Sequence, residues 1–241
     1  MSRNRALSMA ADYFDDGRFE QALARRVACP TESQEPSRAA VLAPDTLAQY
    51  LADQIVPDLE ALGFVCRTVA NPIAAGGPFL IAERIEPGAS FAVLSYGHGD
   101  VVRGHAAQWR QGLDPWRLTV DGDRWYGRGT ADNKGQHSVN LGALSQVLVA
   151  REGRLGYDLK LLLEMGEETG SPGLREVCEL HREALRSDLF LASDGPRVAA
   201  GRPTLFLGSR GGLNFDLRVA LRPSGHHSGN WGGLLRNPGI R

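Results

Sequence analysis

Four short segments of this chain combine histidine or carboxylate residues with glycine, and each follows an apolar run. They are Tyr96-Gly97-His98-Gly99-Asp100, the stretch 127–135 centred on Asp132, Gly166-Glu167-Glu168-Thr169-Gly170, and Ser193-Asp194-Gly195. Imidazole nitrogen and carboxylate oxygen are ligands for zinc and similar divalent ions. His98 and Asp100 are two residues apart, so strand geometry places both side chains on one face. A carboxylate there can orient a ligating imidazole from behind. Glu167 and Glu168, as neighbours, point different ways: one can hold a metal while the other faces a substrate. One histidine with three carboxylates suits a two-metal hydrolase in which one carboxylate, Asp132, bridges the ions.

Each segment also has an ordinary explanation. Asp132 fits the N-cap of the helix that follows it. Asp194 fits a turn aspartate, and Glu167-Glu168 a pair of solvated charges. It is their joint placement at strand ends, where α/β proteins put ligands, that favours a site. The glycine-rich stretch 127–135 is not a phosphate loop: it has neither the Walker A order nor G-x-G-x-x-G. His181 shares an apolar helix face with Leu174, Val177 and Leu185, which marks a core or boundary residue. His105 lies in a loop, His137 opens a helix, and Trp109 and Trp116 read as packing for a hairpin.

The elements that must position these residues follow from periodicity. Residues 5–28 read as one amphipathic helix, ended by Pro30 and the polar run to Pro36. A second helix spans 45–63, with Leu47, Leu51, Ile55, Leu59 and Leu62 on one face and a kink at Pro57. Segments 64–70, 79–85, 91–96, 157–165 and 188–192 read as strands, and 116–126 as a hairpin turning at Asp121-Gly122-Asp123. A helix over 133–150 turns Val139, Ala143, Val147, Leu144 and Leu148 inward. Ser171 caps, and Pro172 opens, a helix running to about Leu185. From Thr204 the texture changes: 205–207 and 212–221 alternate like strands with one wet face. Alternating strands and helices imply an α/β fold, a layered sheet with helices on both faces.

Composition narrows the function classes. The chain has 241 residues, with 27 Lys and Arg against 28 Asp and Glu. There is no basic stripe of the kind a nucleic-acid binder needs. No apolar stretch is long enough for a membrane span, and residues 1–7 have no signal-peptide core. Cys29, Cys66 and Cys178 are odd in number and lack zinc-finger or redox spacing. They read as buried, reduced thiols of a cytoplasmic protein.

In order and spacing these motifs resemble the co-catalytic zinc peptidases and deacylases. That family includes acetylornithine deacetylase, succinyl-diaminopimelate desuccinylase, aminoacylase, glutamate carboxypeptidases and carnosine dipeptidases. The resemblance is carried by 95–102, 125–136, 167–174, 193–195, Gly208-Ser209-Arg210-Gly211-Gly212 and His227-Ser228-Gly229-Asn230-Trp231. The runs 170–174 and 202–212 are most like the dipeptidase branch.

The resemblance implies a zinc-exopeptidase-like fold (phosphorylase/hydrolase-like), with the catalytic domain over 1–207 and the start of an α+β lid or dimerisation domain over 208–241. It implies two zinc ions, replaceable by cobalt or manganese: His98 and Asp194 on the first, Glu168 on the second, Asp132 bridging. Glu167 would be the general base and Asp100 would support His98. His227, rather than His226, would supply an oxyanion donor across a homodimer. A cis peptide is expected at Asp132–Asn133.

The implied reaction is hydrolysis of an amide bond in a small peptide or N-acyl amino acid by zinc-activated water, most like a dipeptidase or carboxypeptidase. An N-acyl amino acid deacylase is the alternative, and an inactive relative that only binds metal or a partner is another. Arg103 stands where the family usually has proline. The family's second zinc takes a further histidine from beyond the lid, so residues 237–241 are expected to fall inside the lid of an amino-terminal portion.

Overall fold

The computed structural model describes residues 2–34, 46–73, 76–195, 197–199, 201–208, 211–213 and 215–236. Glu35 and Pro36 at the expected end of the first helix, Ser209-Arg210 of the glycine-rich run, Asn214 and the segment 237–241 lie outside the described residues. The chain divides into two compact units, Met1–Asp194 and Gly195–Arg241.

The first unit is built on a five-stranded mixed sheet. Its strands are β1 (Val65–Val69), β2 (Phe79–Arg84), β3 (Ala92–His98), β6 (Asp158–Glu164) and β7 (Leu189–Ala192). Their order across the sheet is β1-β2-β6-β3-β7. β1 and β2 run antiparallel, as do β2 and β6, while β3 lies parallel to both β6 and β7. A separate hairpin, β4 (Thr119–Asp121) with β5 (Arg124–Tyr126), turns at Gly122, where φ is +60° and glycine carries no steric penalty.

The period of two along the central strands decides which layer each residue feeds. Leu80, Ala82 and Leu163 face a cluster with Tyr50, Leu51, Ile55 and Leu59. Phe79, Ile81 and Leu162 face the opposite cluster, with Val177 and Leu185. Burying each such side chain contributes about 1.5–3 kcal/mol before conformational entropy is subtracted. The first cluster brings in α3 (Thr46–Tyr50), a π-helical turn (Leu51–Ile55) and α4 (Val56–Ala61). The second brings in α6 (Leu174–Leu180) and α7 (Arg182–Leu185). Helices therefore cover both faces, as the alternation of apolar segments predicts. No helix among the described residues is long and apolar enough to cross a membrane.

Several expectations need correction. The first helix is two, α1 (Ser2–Asp15) and α2 (Arg18–Val27), broken at Gly17, whose φ of +81° ends one helix before the next begins. The Pro57 kink takes the form of the π-helical turn: Val56 N bonds back to Leu51 O, just before the residue that has no N–H to offer. Helix α5 (Lys134–Ala150) buries Leu148 as expected, but leaves Val139 and Ala143 exposed and buries Leu141, Gly142 and Gln146 instead. It packs against α1 and α2 as well as β3, so its buried face is set by three neighbours rather than one.

Ser171 does not cap α6. That place belongs to Gly173 at φ +85°, and the Ser171 hydroxyl goes elsewhere. In the second unit, the described residues of 205–207 and 211–221 form no strand, and Leu205, Leu207, Leu213 and Leu217 are exposed. Alternation supplies an apolar face, but a strand also needs a hydrogen-bonded neighbour, and here none is present among the described residues. Among the described residues of that unit, regular structure consists of the short helix α8 (Ser228–Trp231) and an isolated bridge between Ala199 and Arg202.

Candidate active site

The carboxyl ends of the three parallel strands open at one edge of the sheet, and the chemistry-bearing segments leave from there. His98 is the last residue of β3 and lies beside Glu164, the last residue of β6, in the parallel register. Glu167 and Glu168 follow β6 in a single 3-10 turn, and Asp194 follows β7. Asp132 comes from the turn between the hairpin and α5.

His98 is fully buried. Its Nδ1 faces only oxygen: the Asp100 carbonyl at 3.0 Å and Asp100 Oδ1 at 3.3 Å. Its Nε2 faces Asp132 Oδ1 at 3.0 Å, Glu167 Oε2 at 3.8 Å and Asp194 Oδ2 at 3.9 Å. Ligand atoms of His98, Glu167 and Asp194 all lie within 4.8 Å of one another. Asp132, although its Oδ1 is the nearest of these oxygens to Nε2, and Glu168 both stand outside that mutually close set. Asp132 does not cap α5: Asn133 holds the cap position without a side-chain cap bond, and the Asp132 carboxylate goes to His98.

Asp100 is equally buried and works on two fronts. Behind His98 it receives the imidazole. Towards the next loop it accepts the backbone N–H of Glu167 on Oδ1 at 3.2 Å and that of Glu168 on Oδ2 at 3.1 Å. One carboxylate thus fixes both the ring and the acidic turn. The Asp132–Asn133 peptide is cis, as expected. His227 lies in the second unit, where its Nδ1 accepts the Gly229 N–H at 3.1 Å, and the neighbouring His226 ring packs on Trp231 at 5.6 Å.

The electrostatics follow from this crowding. Burial alone would drive His98 towards its neutral form. The Asp100 bond and charge, then the charges of Asp194 and Glu167, outweigh it and raise the imidazole pKa to about 9. Glu167, Glu168 and Asp194 are each pushed above the usual carboxylate range, first by burial. For Glu168 the largest further cause is the charge of Asp132; for Glu167 and Asp194 the neighbouring carboxylates add to the rise, while His98 opposes it.

Acceptors converge on Nε2 with no donor among them except a proton on the ring itself. That donor set fits a divalent cation, which would neutralise the carboxylates and use the Nε2 lone pair.

Sequence reasoning missed the residues that lock this edge together. Asn133 is fully buried; its Nδ2 donates to Ser193 O at 2.7 Å, and its Oδ1 accepts the His98 N–H at 3.3 Å. It therefore ties the ends of β3 and β7 to the start of α5. Lys134 is buried too, and its Nζ donates to the carbonyls of Arg26 at 3.0 Å and Cys29 at 2.6 Å. Burial pushes its pKa down to about 7. The sequence signal for both was their place directly after Asp132. Glu164 carried no signal beyond ending an apolar strand.

Comparison with known proteins accords with this arrangement. A profile of the peptidase family M20/M25/M40 matches residues 94–216. A cysteinylglycine-S-conjugate dipeptidase of Corynebacterium striatum is 34% identical over 184 residues, which is 76% of this chain and 39% of that protein. The beta-Ala-His dipeptidase of Homo sapiens is 31% identical over 224 residues, 92% of this chain and 40% of that one. Among solved structures, human carnosine dipeptidase 1 superimposes with a TM-score of 0.71 at 27% identity, covering 81% of this chain and 42% of that chain. The chain spans about two fifths of the length of these relatives.

Proposed function

The chain belongs to the peptidase family M20/M25/M40, and on that premise we propose that its strand-end site serves metal-dependent hydrolysis of an amide bond in a small peptide, most like a dipeptidase or carboxypeptidase. The observation that carries this reading is the meeting of Asp132, Glu167 and Asp194 oxygens around His98 Nε2.

In this proposal His98, Asp132, Glu168 and Asp194 would hold two zinc ions. When bound they would supply Lewis acidity to the scissile carbonyl and lower the pKa of water. The remaining chemistry belongs to the side chains. Glu167 takes a proton from the attacking water and returns it to the leaving nitrogen. Burial raises its carboxyl pKa above the ordinary value, His98 opposes this and the acidic neighbours add to it, a direction that favours accepting a proton. Asp100 keeps the His98 ring oriented, with the proton on Nδ1 and the lone pair of Nε2 turned to the site. In a homodimer, His227 would donate to the developing oxyanion in the site of the other copy.

The experiment is a substrate panel with the zinc-reconstituted protein: dipeptides against N-acetyl amino acids. Dipeptide turnover, lost on metal removal and reduced about 10²–10⁴-fold in Glu167→Gln with its metal retained, is the expected result. Turnover indifferent to metal, or full activity in that variant, would remove the reading. Preference for N-acetyl amino acids would move it to a deacylase.

A further inference from the structure

The turn that bears Glu167 and Glu168 is gripped at both ends by buried carboxylates. At its start Asp100 accepts two backbone N–H groups. At its far end Glu164, fully buried at the end of β6, accepts the Ser171 hydroxyl at 2.9 Å and the Tyr96 hydroxyl, both on Oε1. Its Oε2 is buried without a partner. A buried carboxylate left half satisfied destabilises the fold, and the function proposed above gives Glu164 no part.

Ser171 points the same way. Its φ is +53°, a left-handed conformation that strains an ordinary L-residue and suits glycine. Glycine would serve the backbone better. What glycine lacks is the hydroxyl, and that hydroxyl goes to Glu164. The Ser171 N–H meanwhile closes the turn on Gly166 O at 2.9 Å. The serine therefore connects the strand-end carboxylate to the loop that carries the acidic pair.

We infer that Glu164, acting through Ser171 and Tyr96, is a positioning residue: it fixes the 167–170 turn against the end of β3 and so sets where the Glu167 and Glu168 carboxylates stand relative to His98. The inference rests on the metal-centre reading above.

Cobalt titration of the full chain tests it, with the visible absorbance of the bound ion reporting affinity and coordination, and thermal unfolding of the metal-free protein reporting the fold. Ser171→Gly relieves the backbone and removes the hydroxyl. It is expected to melt at or above the wild-type temperature while cobalt affinity falls about tenfold, in the range of lost support to a metal ligand. Tyr96→Phe is expected to weaken cobalt binding in the same direction.

Unchanged affinity in both variants overturns the inference. So does a Ser171→Gly protein that melts lower or fails to fold, since the bond would then serve stability alone. If wild-type protein binds cobalt and His98→Ala abolishes binding, a failure of Ser171→Gly counts against the positioning role only. If wild-type protein binds none, or binds equally after His98→Ala, the metal reading falls and this inference with it.

Discussion

Oδ1 of Asp132 stands 3.0 Å from Nε2 of His98, although 34 residues of chain separate them. The contact joins the end of a central strand to the turn before α5, and it is reinforced by Asn133 bonding both the His98 N–H and Ser193 O. Two like-charged neighbours, Glu167 and Asp194, approach the same nitrogen. Burial opposes a proton on His98, but the bond and charge of Asp100, followed by the charges of Asp194 and Glu167, raise its pKa to about 9.

Removing the imidazole therefore leaves the carboxylates with no nitrogen ligand. His98→Ala is expected to lower zinc affinity at least about a hundredfold, beyond what loss of an outer partner does. Isothermal titration with zinc measures it. Affinity within threefold of wild type would show that the ion, if bound, sits elsewhere.

Asp100→Asn is the complementary change, because it keeps the shape and alters the bonding. An asparagine has one acceptor oxygen where the carboxylate uses two, so its amide nitrogen must face either the Glu167 or the Glu168 N–H, donor against donor. The expected result is about 10–100-fold weaker zinc binding and a loss of about 1–3 kcal/mol in stability from the unmatched group. Urea unfolding and zinc titration on the same preparation read both. A variant as stable as wild type would mean the two N–H bonds contribute little.

The sheet was legible in the sequence because its central strands are short apolar runs closed by glycine or turn residues. The acidic and histidine motifs were legible because they sit where those runs stop. What stayed hidden depends on partners far along the chain. Nothing in the spacing of Asn133 reveals that its amide reaches Ser193, and Asp132 read as a helix cap as easily as a partner of His98. Val139 was expected inside because one periodic face was counted, whereas α1 and α2 claim a different side of α5. Tyr13 of α1 comes close enough to Gly142 that a Cβ there would lie 2.8 Å from its ring. Ser171 read as a cap because serine before proline usually is one; its link to Glu164 is a tertiary fact. The alternation at 212–221 described a face and left its pairing unstated.

Gly135 offers a test of the turn that presents Asp132. In an ordinary helix, glycine to alanine stabilises by about 1 kcal/mol. Here a Cβ on Gly135 would lie 1.8 Å from the Thr130 carbonyl oxygen, a backbone atom that cannot swing aside. Gly135→Ala is therefore expected to destabilise by about 1–3 kcal/mol, as overpacking does, and to weaken zinc binding by displacing Asp132. Chemical denaturation gives the sign directly. A more stable variant would mean the turn is not held as described.

The last prediction concerns pH and comes from a histidine outside the site. The Tyr50 hydroxyl lies 2.6 Å from His137 Nε2, both groups are buried, and burial pushes the Tyr50 pKa up so that the phenol keeps its proton. His137 itself is held well below its ordinary pKa of 6.5, first by burial and then by the charges of Arg26, Lys134 and His98. The folded protein thus keeps this imidazole neutral where the unfolded chain protonates it. Below pH 6.5 the unfolded state binds the extra proton, so stability contributed by His137 is full above that pH and is lost as pH falls. Between about pH 7.5 and 5.5, wild-type protein should lose about 1.4 kcal/mol more than a His137→Gln variant, the free energy of one pKa unit. Urea unfolding at the two pH values isolates the difference, because the other titrating groups are common to both proteins. Parallel pH dependence in the two would mean that His137 takes up its proton inside the fold as readily as in the open chain.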